Sequence, residues 1–133
     1  MGMEIELTRA AIERLATAAK EALPNEACGL LLGLGSRIER VREVANVHPE
    51  PVTHFEIDPK ELIAAHRAAR HGGPEVVGYF HSHPDGLPEP SPTDLSHATG
   101  DGRVWAIVSK GDIAFWRDDG DGFAKLSYIV DDS

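Results

Sequence analysis

Cysteine is almost missing from this chain: Cys28 is the only one in 133 residues. A lone thiol cannot close an intramolecular disulfide, and it cannot furnish a cysteine-rich zinc knuckle or a redox pair. Long apolar runs are missing too. Stretches such as Cys28 to Leu32 and Ala106 to Val108 fall far short of the roughly 20 residues that a membrane-spanning helix needs. Met1 is followed by acidic Glu4 and Glu6 rather than by a basic stretch leading into an apolar one, so neither a secretory signal nor a membrane anchor is expected. These absences predict a cytoplasmic protein with no membrane partner. Positive charge is the third shortage. Thirteen Lys and Arg stand against twenty-two Asp and Glu, a net charge of -9, and the basic residues do not cluster. That balance repels a phosphate backbone, so nucleic acid is not an expected partner.

What remains has the composition of a globular domain. With 41% hydrophobic and 26% charged residues, the chain can build one core and is short for two, so residues 1–133 read as a single domain. Thr8 to Leu23 carries Ile12, Leu15, Ala16, Ala19 and Leu23 at helical spacing, and Pro24 stops it. Ala27 to Leu32 and Ile38 to Val47, parted by Gly35-Ser36, read as two paired strands. Asp58-Pro59-Lys60-Glu61 reads as a capping box with Pro at the first helical position. It opens a second helix with an apolar stripe of Leu62, Ile63, Ala65 and Ala69, ended by Gly72-Gly73. Val76 to Phe80 reads as a buried strand and Ser91 to Ala98 as a short helix. Val104 to Val108, Ile113 to Trp116 and Phe123 to Val130 read as closing strands. Pro84 to Pro92 holds four of the nine prolines and reads as a stiff, irregular loop. The order mixes helix with sheet.

His81 and His83 stand two apart directly after Val76 to Phe80. If the extended backbone continues, both imidazoles leave the same face, which suits a shared metal. Asp94 opens the next helix. Two nitrogens and a carboxylate leave the fourth tetrahedral position of a zinc ion open to water, the mark of a catalytic rather than a structural site. Zinc lowers the pKa of its bound water from about 15.7 toward about 7, but hydrolysis still needs a carboxylate to take and return the proton. Glu26 is the candidate base. Ser91, three residues before Asp94, can aim a hydroxyl donor at the oxyanion of a tetrahedral intermediate. Ser91-Pro92-Thr93-Asp94 also reads as an ordinary capping box. That reading leaves the preceding histidine pair unexplained, and the two can coexist.

His81-Ser82-His83-Pro84, then Pro90-Ser91, then Asp94 resembles the motif of the JAMM, or MPN-plus, metallopeptidases. Glu26-Ala27-Cys28-Gly29-Leu30-Leu31-Leu32-Gly33 is similar to the family segment that carries the general-base glutamate at a strand start. The resemblance implies zinc held by His81, His83 and Asp94, Glu26 as base and Ser91 as oxyanion support. It implies an α/β fold of three layers, cytidine-deaminase-like, with a mixed β-sheet flanked by helices. Phe55-Glu56-Ile57-Asp58-Pro59 and the compact length look like the standalone bacterial branch. That branch acts on ubiquitin-like or sulfur-carrier proteins with a C-terminal Gly-Gly tail, and a homodimer is compatible with it.

The other notable residues read as ordinary. Cys28 reads as a small buried hydrophobe rather than a fourth ligand. His48, His54, His66 and His71 read as loop or helix histidines, and His97 as an exposed helix position rather than a group orienting a ligand. Asp118 to Gly122 lacks the full calcium-loop pattern and reads as a hairpin turn. Trp105 and Trp116 read as core or sheet-face aromatics. Three rival functions fit the residues less well. A non-catalytic scaffold domain of the same fold sits poorly with an intact Glu26, His81, His83, Ser91 and Asp94. An iron oxygenase would not call for Glu26. A nucleobase deaminase requires cysteines that the chain lacks.

Overall fold

The computed structural model describes residues 4–131. Among them, seven strands and three helices follow in the order β1 (Glu4–Thr8), α1 (Arg9–Ala22), β2 (Cys28–Leu34), β3 (Arg37–Val44), α2 (Pro59–Arg70), β4 (Glu75–Ser82), α3 (Pro92–His97), β5 (Val104–Ser109), β6 (Asp112–Asp118) and β7 (Phe123–Asp131). The strands form one mixed sheet in the order β1-β3-β2-β4-β5-β6-β7 that closes on itself through a parallel β1–β7 pairing. β4 and β5 are also parallel, while β2 pairs antiparallel with both β3 and β4.

Side chains alternate between the two faces of a strand, and the faces of this sheet bury against different helices. Leu31, Val77, Phe80, Ala106 and Phe115 pack in one cluster with Ala11, Leu15 and Ala18 of α1. Leu30, Leu32 and Val76 pack in a second with Ala65 of α2, joined by Leu62, Ile57 and Tyr79. The result is the α/β arrangement implied above, a mixed sheet with helices on its two faces. At Gly78 a Cβ would collide with the Val104 carbonyl, so glycine is what allows β4 and β5 to lie so close there.

Local chemistry accounts for the element ends. Thr8 caps α1 by accepting the Ala11 N–H at 3.1 Å, and Asp58 caps α2 by accepting the Lys60 N–H at 3.0 Å. The Asp118 to Gly122 segment is the β6–β7 hairpin turn, with Asp118 opposite Phe123.

Three expectations are corrected. β1 was not anticipated, although Ile5 and Leu7 alternate with Glu4 and Glu6 and are fully buried. The buried stripe of α1 runs through Ala11, Leu15 and Ala18, leaving Leu23 exposed; Ile63 of α2 is exposed as well, because only Ala65 of that helix is fully covered. β4 runs two residues beyond Phe80 and takes in His81. No helix among the described residues is long and apolar enough to cross a membrane.

Candidate metal centre

His81 lies on β4 opposite Cys28 of β2 and Ile107 of β5, and is buried. Extended pairing continues past the end of β4, because the His83 N–H donates to the Val108 carbonyl at 2.8 Å. Both imidazoles therefore leave the same face. Ser82 between them faces the other way, and its Oγ accepts the Ala27 N–H at 2.7 Å, pinning the residue next to Glu26 to the histidine strand.

The proline-rich loop that follows is held at three successive carbonyls. Ser109 Oγ donates to Gly86 O at 2.7 Å, His83 Nδ1 to Leu87 O at 2.8 Å, and Trp116 Nε1 to Pro88 O at 3.1 Å. The loop thus delivers the chain to α3 in a defined place. There the capping box forms as expected: Ser91 Oγ accepts the Asp94 N–H at 3.1 Å, and Asp94 Oδ2 accepts the Ser91 N–H at 2.9 Å.

The same Asp94 Oδ2 stands 3.1 Å from His81 Nε2 and 3.2 Å from His83 Nε2, and the two nitrogens are 3.1 Å apart. Bonds of about 2.0–2.1 Å in a tetrahedral zinc site imply ligand–ligand edges of about 3.3 Å, so the triangle is close to what such an ion requires. Proton accounting supports a cation at its centre. Leu87 O can only accept, so His83 Nδ1 carries a hydrogen, and in the neutral ring Nε2 then turns a lone pair toward a carboxylate lone pair. That contact is repulsive unless positive charge lies between them, supplied by a proton or by a metal ion. Burial pulls His83 down, but its hydrogen bonds to Asp94 and Leu87 and the charges of Asp94 and Glu26 leave it raised above its ordinary value. Burial works against ionisation of Asp94 too, yet the two histidines hold its carboxyl well below the usual carboxylate range. His81 goes the other way: burial lowers it in spite of Asp94. Its Nδ1 is buried with no hydrogen-bond partner, which leaves Nε2 as the working atom of the ring.

Glu26 and Ser91 line, together with His83, a cleft of about 470 Å³ that is also lined by Val52, Thr53 and the loop from Pro84 to Pro90. Among the described residues the Glu26 carboxylate makes no hydrogen bond. Burial pushes it up to about 7 from 4.5, with His83 lowering and Asp94 raising it. A carboxyl that titrates near neutrality is suited to exchanging protons with a substrate. The structure thus brings the five anticipated residues to one place.

Cys28 is buried and outside the cluster, its Sγ 3.7 Å from Val44 O. His97 is exposed on α3. Several residues that shape the site were not anticipated in these roles. Phe55 stacks on the His81 ring, with centroids 4.3 Å apart, and Trp105 meets that ring edge-on at 5.7 Å. Trp116 and Ser109 tether the proline loop. The sequence places Phe55 near a recognisable motif and Trp105 and Trp116 on strands, but nothing in the local pattern shows which side chains they meet across the fold.

The model of the family described as prokaryotic homologues of the JAB domain matches residues 8–119. The Desampylase of Haloferax volcanii is 36% identical over 111 residues, covering 81% of this chain and 80% of that protein. A protein of Thermus thermophilus named as a probable TtuB-protein conjugate cleaving protease is 34% identical over 97 residues, covering 73% of this chain and 65% of its own length. A protein from Desulfitobacterium hafniense solved in solution superposes with a TM-score of 0.85 at 33% identity, over 97% of this chain and 94% of that one.

Proposed function

This chain belongs to the family of prokaryotic homologues of the JAB domain, and from that membership we propose that it is a JAMM-type zinc metallopeptidase acting on conjugates of a ubiquitin-like or sulfur-carrier protein. The observation that carries the reading is the convergence of His81 Nε2, His83 Nε2 and Asp94 Oδ2 to edges of 3.1–3.2 Å, with His83 opening onto the cleft that Glu26 and Ser91 line. His81, His83 and Asp94 would hold the ion. When bound, zinc would polarise the scissile carbonyl and make a water acidic. Glu26 takes the proton of the attacking water and returns it to the leaving nitrogen, a task its raised pKa favours. Ser91 Oγ accepts the Asp94 N–H, and its own hydroxyl hydrogen stays available to donate to the developing oxyanion. Phe55, stacked on His81, shields that ligand from water and fixes its ring plane.

The names of the Haloferax and Thermus relatives support the substrate class. Within it we infer cleavage directly after the terminal Gly-Gly. Glycines let the tail backbone approach the ligand triangle and Ser91, where side chains would obstruct it. A single buried cysteine with no disulfide supports a cytoplasmic setting.

The test compares zinc-loaded enzyme on carrier fusions ending in Gly-Gly-X, Gly-Val-X and Val-Gly-X, and on the isolated tail peptide, with products read by intact mass. Rapid cleavage of the first alone, directly after the second glycine, is the expected result. Equal cleavage of all four, or scattered cuts in unfolded casein, would replace the reading with a general peptidase.

A further inference from the structure

Asn46 lies two residues beyond the end of β3, in the unremarkable stretch Ala45-Asn46-Val47, and is half-buried. A carboxamide has two N–H donors and a carbonyl oxygen with two lone pairs. Here that capacity is spent entirely on main chain. Oδ1 accepts the N–H groups of His48 at 3.1 Å and Glu56 at 3.0 Å. Nδ2 donates to His54 O at 2.9 Å and Glu26 O at 3.1 Å, with Pro51 O further off at 3.4 Å. One side chain therefore ties the segment 47–57 into a compact loop and joins that loop to Glu26, two residues before β2.

The joint is completed by neighbours. The Glu26 N–H donates to Pro51 O at 2.7 Å, so both main-chain polar groups of Glu26 are held by residues of this loop and by Asn46. On its other side the Ala27 N–H is held by Ser82, between the two histidines. With its main chain fixed from both directions, the Glu26 carboxylate has only its own side-chain torsions left to vary. The clamped loop also supplies Val52 and Thr53 to the cleft, and Phe55 to the face of His81.

We propose that Asn46 is a positioning residue for hydrolysis: its carboxamide fixes the main chain of Glu26 and the loop 47–57 as one unit against the histidine strand. The inference rests on the hydrolase reading above. Displacing a base by about an ångström can cost about 10²-fold in rate, so loss of the clamp should fall on kcat more than on KM. Neither β4 nor α3 bonds to Asn46, so metal binding should survive.

The test uses Asn46→Ala and Asn46→Asp in the full chain, with zinc content, melting temperature, kcat, KM and amide hydrogen exchange measured on each. Asn46→Asp keeps the shape and both acceptor bonds but loses the donors, so it covers the case in which the Ala variant does not fold. Both variants should hold zinc as the wild type does and lose about 10- to 100-fold in kcat. The Ala variant should lose exchange protection at Glu26, His48 and Glu56. The Asp variant should keep protection at His48 and Glu56 and lose it at Glu26. A lower melting temperature with kcat of the zinc-loaded protein within twofold of wild type would make Asn46 merely structural and overturn the proposal. Should the wild type cleave no carrier conjugate, the substrate reading falls by itself, and exchange then decides. Unchanged protection at Glu26 in the variants sinks the clamp, and its loss upholds it.

Discussion

Replacing Glu26 with Gln should make the metal-free protein more stable and the zinc-loaded protein nearly inactive. The stability gain follows from the buried carboxyl. Its value is about 7 in the folded chain against 4.5 as an ordinary Glu, raised chiefly by burial. Because the folded value is the higher one, the carboxyl's contribution to stability is fully present below 4.5 and is lost as pH rises through about 7. At about 1.4 kcal/mol per pH unit, the gap of about 2.5 units (7 minus 4.5) sets a ceiling near 3.4 kcal/mol. The carboxylate borders an open cleft, where water screens much of this, so about 1–2 kcal/mol is the reasonable size. Gln keeps the shape and carries no charge, so Glu26→Gln avoids the loss. For a chain of this length the gain corresponds to a melting-temperature rise of roughly 3–8 °C at about pH 8, shrinking toward zero near pH 4.5. Differential scanning calorimetry of EDTA-dialysed wild type and variant across that range measures it. With zinc restored, the variant should hold the metal but turn over about 10²-fold or more slowly. A melting-temperature difference that stays constant with pH would refute the account of Glu26 as a desolvated carboxylate, whatever the activity shows.

Three other outcomes are expected. Ala at His81, His83 or Asp94 should abolish stoichiometric zinc by elemental analysis, since three protein ligands are the minimum for this site, and a full complement in the His81→Ala, His83→Ala double variant would disprove the assignment. Ser91→Ala should retain zinc while kcat drops about 10²-fold, with about 1 kcal/mol of stability lost as the cap on α3 goes, so an unchanged kcat would leave Ser91 only its capping role. Cys28 is buried, and desolvation together with Glu26 and Glu43 pushes its thiol up to about 12. It should therefore resist Ellman's reagent in the native protein and react at once after denaturation, and rapid native labelling would contradict this.

Much of the site was legible in the sequence because its chemistry is local. His81 and His83 share a strand, so a spacing of two alone sets their common face. Ser91 and Asp94 share a capping box, whose geometry needs only four consecutive residues. Glu26 was harder, since its place depends on the pairing of β2 with β4; the need for a carboxylate base made it a candidate, and the resemblance of the segment it opens implied the role. The helices and most strands were legible from periodicity and caps. β1 escaped because five residues with two acidic side chains look like a solvated terminus until the parallel pairing with β7 buries Ile5 and Leu7. Asn46, Phe55 and Trp116 in their actual roles were illegible for a different reason. Each acts on groups that are distant in sequence or on main-chain atoms, and neither kind of partner leaves a mark in the local pattern.

The parallel pairing of β1 with β7 joins the first strand of the sheet to the last, so the strands form a closed ring. An open sheet offers unpaired main chain along two whole borders; here closure confines it to shorter stretches, chiefly β3 beyond Ile38, where the pairing with β1 stops. The cleft itself is bordered by loops and not by strands: segment 47–57 on one side and the stretch from Pro84 to Ser91 on the other. The ring itself carries His81, whereas these two rim segments hold Glu26 and Ser91 in place, so exchanging either segment should disturb catalysis before it alters the framework of strands.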